Sequence, residues 1–283
     1  MNSQMNEKVK KYYNHNTPIF IKIGRSSASA NIHRAVWGKG VSNEVEAMTF
    51  VNKIIFDEIN SIKTNGQLNI LDLGCGVGAP IFYLAESMEK DTKFTGISIS
   101  EVQIEYARKF HEQAHAGVNC EFIEADFHNL PDIPAQDVIY LVEAFIHSHD
   151  PDKLLHGIQK HLKPGGKLII CDDFLAENDN VSAHSQKLLN DYTQGWHVGT
   201  LWEVTKLKSN AENHGLTLSK NTDLTPYLNL WTLRDKMAHF FLYFYKLLPV
   251  KSTYWESIRG GDALQKCLMK GLIDYRFLVF TKS

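Results

Sequence analysis

The sequence predicts an α/β fold: a seven-stranded, mostly parallel sheet with helices on both faces and a helical lid. Three observations carry this. Between residues 69 and 172, short apolar runs alternate with stretches of helical periodicity, the rhythm of parallel strands joined by right-handed crossovers. The first run, Asn69-Ile-Leu-Asp-Leu73, stops at Gly74, Gly76 and Gly78, so a strand feeds a tight turn and then a helix. Beyond residue 173 the rhythm loosens and aromatic residues gather, which suits covering segments better than further β-α units.

In chain order, Val9, Tyr12 and Tyr13 open a short helical pattern. Thr17–Ser27 then mixes apolar residues with small polar ones, and Asn31–Gly38 follows. Aromatic residues beside Lys22, Arg25, His33 and Arg34 suit a lid over a partly anionic or aromatic pocket; they equally suit simple packing onto the domain. Ser42 is placed to cap a helix to about Ile62, with Val45, Met48, Val51, Ile55 and Ile59 three or four apart. Five strands are expected at Asn69–Leu73, Lys93–Ser100, Asn119–Asp126, Asp137–Glu143 and Lys167–Asp172. Helices at Ala79–Met88, Glu101–Ala114 and Lys153–Leu162 connect them, the last stopped by Lys163-Pro-Gly-Gly166. A helix near Leu201–Asn213 ends at Gly215, and strands follow at Leu216–Thr222 and Tyr275–Thr281. This divides the chain into an N-terminal lid over 1–40 and a main domain over 41–283, with lid insertions near 174–200 and 226–258.

Composition narrows the function classes. The chain of 283 residues is 43% hydrophobic and 22% charged, ordinary for a globular protein and compatible with one α/β domain plus a lid. A formal net charge of -2 gives no electrostatic support to a nucleic-acid partner. Cys75, Cys120, Cys171 and Cys267 are far apart, so they read as reduced thiols of a cytoplasmic protein, not as a zinc site or disulfide frame. The polar start is no secretory signal, and no apolar run approaches the roughly 18 residues of a membrane span. The G-x-G-x-G spacing also differs from the G-x-G-x-x-G of a dinucleotide fingerprint.

Two motifs bring a family into view. Leu71-Asp-Leu-Gly-Cys-Gly-Val-Gly78 and the Leu162-Lys-Pro-Gly-Gly166 turn resemble the first motif and the pre-strand turn of class I S-adenosylmethionine-dependent methyltransferases. Gly96-Ile-Ser-Ile-Ser100 with Gln103, Glu143-Ala-Phe-Ile-His147 and the aromatic N-terminal segment resemble the branch of sterol, tocopherol, cyclopropane-fatty-acid and prenyl-diphosphate C-methyltransferases. The resemblance implies a Rossmann-like sheet and S-adenosyl-L-methionine as cofactor. It implies Asp72, Gly74, Gly76 and Gly78 at the methionine end, and Ser98, Ser100 and Gln103 at the ribose, where many members use an acidic residue. Asp126 would accept from the adenine amino group with Phe127 beside the ring, unless Asp126 is a turn cap.

Glu143 and His147 are the expected catalytic pair, placed after the fourth strand where open α/β sheets bind ligands. Glu143 suits the base, and His147 an orienter, relay or alternative base. Their other readings are a contact to the cofactor or lid and a pocket-wall histidine. Tyr12, Tyr13, Arg25, His33, Arg34, Trp37, Phe145, Trp231, Phe240 and Tyr245 are the candidate acceptor contacts, though the 226–258 aromatics also suit plain core. Arg25, His33, Arg34 and Lys39 would suit a diphosphate head, to which a magnesium ion could then belong. His147-x-His149 alone is a weak metal signal, and no metal site is expected. The expected activity is C-methylation of a prenyl diphosphate or other terpenoid or lipid acceptor. O- or N-methylation of an aromatic or polyketide-like natural product is the alternative. A small-molecule acceptor is the expected partner, and homo-oligomer formation stays open.

Overall fold

The computed structural model describes residues 2–23, 33–62, 66–88, 91–177, 182–232, 236–237 and 253–283. Arg25, Phe240 and Tyr245, and much of the aromatic 226–258 stretch, lie outside the described residues. The strands are β1 (Leu68–Leu73), β2 (Thr92–Ser98), β3 (Cys120–Glu124), β4 (Gln136–Val142), β5 (Leu162–Leu175), β6 (Leu216–Asp223) and β7 (Ile273–Lys282). They form one sheet in the order β3-β2-β1-β4-β5-β7-β6. Strands β1 to β5 run parallel, and β7 enters antiparallel between β5 and β6.

The pleat decides which side chains meet which helices. Ile70, Val138, Tyr140, Ile169 and Val279 share one face with Val51, Ile55 and Ile59 of α2 (Glu44–Asn60) and Ile81 of α3 (Ala79–Ser87). Their neighbours Leu71, Ile139, Leu141, Leu168 and Leu278 share the other with Leu154 and Ile158 of α5 (Pro151–His161) and Leu207 of α7 (Val204–Asn213). Continuous apolar strands are what a sheet covered on both faces requires. The helix α4 (Glu101–Ala114) buries Ile104 and Ala107 on the α2 side. All four cysteines are free thiols.

Four features depart from the sequence reading. The first helix, α1, spans Asn2–Ile23 and continues through Pro18, where the mixed polar segment suggested a break. The N-cap of α2 is Asn43, whose Oδ1 accepts from Glu46 N at 3.0 Å. Ser42 sits one residue earlier and donates from N and Oγ to Glu46 Oε2 at 2.7 and 2.9 Å. Two further helices, α6 (Ala183–Gly195) and α8 (Thr253–Met269), pack on each other through Leu188, Leu189, Tyr192, Leu264 and Cys267. The strand β5 runs to Leu175, three residues beyond its expected end. Among the described residues no helix is long and apolar enough to cross a membrane.

Candidate active site

The carboxyl ends of β1, β2 and β4 meet at the glycine turn. Gly74, Gly76 and Gly78 all take positive φ, the left-handed region that glycine enters without strain. Gly74 and Cys75 donate their N–H groups to Ile97 O at 2.8 and 3.0 Å, which ties the turn to β2. A Cβ on Gly74 would lie 2.5 Å from Ala144 Cβ, so the turn and the residue after Glu143 touch directly. Gly78 begins α3, and a Cβ there would strike Phe122 at 2.8 Å. Its glycine serves the turn and the packing behind it, not the cavity wall.

A cavity of about 690 Å³ opens over this edge. Asp72, Gly74, Gly76, Ser98, Gln103, Asp126 and Phe127 line one end. Asp72 is 2% exposed, and its Oδ2 has no hydrogen-bond partner among the described residues. Burial pushes its carboxyl up to about 8, and the neighbouring Tyr140 hydroxyl offsets part of that rise. A buried, unpaired carboxyl oxygen beside a glycine-rich turn fits the ammonium group of an amino-acid-bearing ligand with a cationic sulfur. Ser98 Oγ donates to Gln103 Oε1 at 2.7 Å, fixing that amide at the cavity wall. Ser100 faces elsewhere: its Oγ accepts from Gln103 N at 3.2 Å, capping α4, and bonds Asn14 Oδ1 of α1 at 2.6 Å.

Asp126 is both a cap and a wall residue. Its Oδ1 accepts from His128 N at 2.9 Å and lies 2.8 Å from His128 Nδ1. Its Oδ2 accepts from Asn6 of α1 at 2.6 Å. Lys10 of the same helix reaches Glu124 at 2.7 Å and Glu101 at 3.0 Å. These contacts hold α1 across the β3 and α4 ends of the cavity.

Glu143 follows β4 with φ 50, a conformation sparsely used by non-glycine residues. Its backbone N–H is held by Cys171 O at 2.8 Å. Its Oε1 accepts from Arg34 N and from Tyr275 Oη, both at 2.9 Å, and lies 3.3 Å from Arg34 Nε. Its Oε2 has no hydrogen-bond partner among the described residues, and Glu143 lines the cavity. Arg34 forks onto Asp173 at 2.7 and 2.6 Å, and its guanidinium stacks 4.4 Å over the Tyr275 ring. The Tyr192 hydroxyl also donates to Asp173, at 2.6 Å.

His147 closes a short 3-10 turn, Phe145–His147. Its Nδ1 is 3.4 Å from His197 O, and its Nε2 is 2.8 Å from Tyr13 Oη. A carbonyl only accepts, so Nδ1 carries the proton and Nε2 accepts from Tyr13. Burial lowers the ring to about 4, which keeps it neutral.

Of the expected acceptor contacts, Tyr12, Tyr13, His33, Arg34, Trp37 and Trp231 line the cavity. Phe145 does not: it points into the core, 6.1 Å from Phe174 and 6.4 Å from Trp202. In a 3-10 turn, residues two apart take different sides, so Phe145 and His147 cannot share one wall. Lys39 is an exposed turn residue. Among the described residues no group of three or more His, Cys, Asp or Glu is arranged to hold a metal ion.

Several wall and support residues escaped the sequence reading: Asn6, Trp196, Leu228, Leu264 and Gln265 on the wall, and Asp173, Tyr192 and Tyr275 behind it. One signal was available. Asp172-Asp173 ends an apolar strand at the carboxyl edge, where two adjacent carboxylates call for partners.

Comparison with known proteins agrees with this geometry. A methyltransferase-domain family model matches residues 64–227. An O-methyltransferase of Pyrenophora dematioidea is 32% identical over 203 residues, covering 70% of this chain and 72% of the relative. A sterol 24-C-methyltransferase of Aspergillus fumigatus is 26% identical over 160 residues, covering 56% and 42%. Among solved structures, geranyl diphosphate C-methyltransferase from Streptomyces coelicolor A3(2), in complex with Mg2+, geranyl diphosphate and S-adenosyl-L-homocysteine, superposes with a TM-score of 0.68. It is 13% identical, covering 99% of this chain and 98% of that one. With the turn, the buried Asp72 and the sheet order already in place, the chain belongs to the methyltransferase-domain family and is a class I S-adenosylmethionine-dependent methyltransferase.

Proposed function

We propose that the enzyme methylates carbon of a bulky, apolar, terpenoid- or lipid-like acceptor, with Glu143 as the base. The observation that carries this is the split between the two oxygens of Glu143. Oε1 is taken by Arg34 N and Tyr275 Oη, and Oε2 is open at the cavity wall. Such a carboxylate is oriented by one oxygen and available through the other.

The bound cofactor supplies an electrophilic methyl group on a cationic sulfur. In this reading, Asp72 holds its ammonium group, and Ser98 with Gln103 faces the ribose. Asp126 and Phe127 sit toward the adenine. The cavity walls align the acceptor carbon with the methyl group and exclude water. Positive charge that develops on an alkene is stabilised by ring faces, and Tyr12, Tyr13, Trp37 and Trp231 are on the wall. Glu143 Oε2 then removes the proton. His147 is a neutral wall group whose lone pair is already engaged by Tyr13, so it supports the site without acting as the base.

The same geometry weighs against a diphosphate head. Arg34 is the guanidinium on the described wall, and Asp173 already occupies its fork. A neutral apolar acceptor leaves that pair intact and calls for no magnesium ion.

A second reading, O-methylation, is favoured by the 32% identical O-methyltransferase relative. There Glu143 would take a hydroxyl proton. The two separate in one experiment: incubation with methyl-labelled cofactor and a panel of terpenoid alkenes and phenols, read by mass spectrometry and carbon NMR. Label on carbon of a terpenoid supports the proposal. Label found only on phenol oxygen replaces it with the second reading. Calorimetry showing no binding of S-adenosylhomocysteine would remove both.

A further inference from the structure

We infer that His33 selects an acceptor bearing a neutral hydroxyl group, which it binds through Nε2. The inference rests on the small-molecule reading of the cavity above and adds the polar group the acceptor must carry. His33 lines the cavity and is 8% exposed. Its Nε2 is buried and has no hydrogen-bond partner among the described residues. A buried polar atom left without a partner is costly, so its presence on a cavity wall points to a ligand that supplies one.

The tautomer fixes what that ligand must offer. His33 Nδ1 lies 3.1 Å from Arg34 O. A carbonyl oxygen only accepts, so Nδ1 carries the proton, and in the neutral ring Nε2 presents a lone pair. A lone pair calls for a donor, and an O–H group is the donor an apolar small molecule most simply carries. An ether, ketone or phosphate oxygen meets it with a second lone pair.

The backbone ties this position to the proposed chemistry. The next residue, Arg34, donates its N–H to Glu143 Oε1 at 2.9 Å and forks onto Asp173. Residue 33 is therefore held next to Glu143 on the cavity wall. An acceptor anchored by its hydroxyl at His33 is held with its carbon skeleton in the same cavity as Glu143.

The test uses the full chain saturated with S-adenosylhomocysteine, with tryptophan fluorescence as the readout, since Trp37, Trp196 and Trp231 line the cavity. The probes are farnesol, farnesyl methyl ether and farnesyl diphosphate, with 1-naphthol and its methyl ether as a second scaffold. The alcohol of at least one scaffold is expected to bind about tenfold tighter than its ether, the worth of one hydrogen bond to a buried group. His33→Phe should reduce that ratio to about one, and His33→Gln, which offers an amide oxygen, should recover part of it. Nitrogen NMR of the wild-type chain adds a readout that needs no variant to fold: the unprotonated ring nitrogen of His33 should shift with the alcohol and stay still with the ether. Ether or diphosphate binding as tight as the alcohol, no binding of either alcohol, or a ratio untouched by His33→Phe overturns the inference. Failure of S-adenosylhomocysteine to bind is a separate result and strikes the function proposed above.

Discussion

Replacing Asp72 by Asn should make the free protein more stable at neutral pH while crippling cofactor binding. The carboxyl is buried and its pKa is raised from 3.8 to about 8. This is the reverse of the usual carboxylate, so the sign follows from comparing the two states. Below 3.8 the group is protonated both folded and unfolded and costs nothing. Between 3.8 and about 8 only the unfolded chain gives up the proton, so stability falls as pH rises. Each pH unit in that window costs about 1.4 kcal/mol, or about 4 kcal/mol by pH 7. An Asn side chain cannot ionise and avoids this penalty. Its amide hydrogens stand where Oδ2 has no described partner, which returns about 2 kcal/mol.

The net expectation is a gain of about 2 kcal/mol at pH 7, or about 4–8 °C in Tm for a chain of this size, and about none at pH 5. Thermal unfolding of both proteins without ligand, at the two pH values, measures it. The other buried carboxyl with a raised pKa, Asp172, is common to both chains and cancels in the difference. Calorimetry with S-adenosylhomocysteine should show affinity down about a hundredfold, the loss of a charged hydrogen bond in a buried site. In the wild type the ligand's ammonium should draw the proton off Asp72, so that affinity rises from pH 6 to 8. A variant that is destabilised equally at both pH values, or that binds the ligand unchanged, would refute the reasoning.

Glu143→Gln keeps an oxygen able to accept from Arg34 N and Tyr275 Oη but removes the proposed base. Turnover should fall by about 10²–10⁴, with S-adenosylhomocysteine affinity nearly unchanged by calorimetry; full turnover would displace Glu143 from its role. Arg34→Leu strands Asp173, which is 1% exposed, and should cost about 3–5 kcal/mol in urea unfolding. Wild-type stability in that variant would mean the fork contributes little. Gly74→Ala places a Cβ 2.5 Å from Ala144 Cβ at φ +87. It should lose about 2–4 kcal/mol of stability together with cofactor binding, and a variant that still binds would locate the ligand away from the turn.

The sheet was legible because its information is local. Ile70, Leu71, Val138, Ile139, Leu168 and Ile169 are apolar on both faces, and each run is bounded by turn residues. The glycine turn and Glu143 were legible for the same reason, as short motifs at strand ends. What escaped depends on distant partners. Arg34 looked like a free cation for a substrate, because its partner Asp173 lies 139 residues away. The helix α8 was obscured by Gly260-Gly261, a poor helical pair. The packing explains it: a Cβ on Gly260 would sit 2.6 Å from Trp196 Cδ1, so glycine there lets α6 and α8 close together. The helix α1 was expected short because its second half mixes apolar and small polar residues; it continues through Pro18 where Val9, Tyr12, Asn16 and Thr17 are buried.

Strain and burial converge on one place in this fold. The three non-glycine residues with positive φ among the described ones are Glu143, His197 and Trp231. Glu143 and Trp231 line the cavity, and His197 meets it through His147 and Tyr12. Each such residue costs about 1–3 kcal/mol and persists only where its surroundings hold it. Cys171 O and Tyr275 hold Glu143, and Gln265 accepts from Trp231 N at 3.2 Å. Together with the unionised Asp72, these positions make the cavity the least relaxed part of an otherwise well-packed sheet. The free enzyme therefore holds Glu143, the proposed base, and the buried Asp72 carboxyl in place before anything binds. That order is what a methyl transfer needs, since the donor is already activated and the protein's task is alignment.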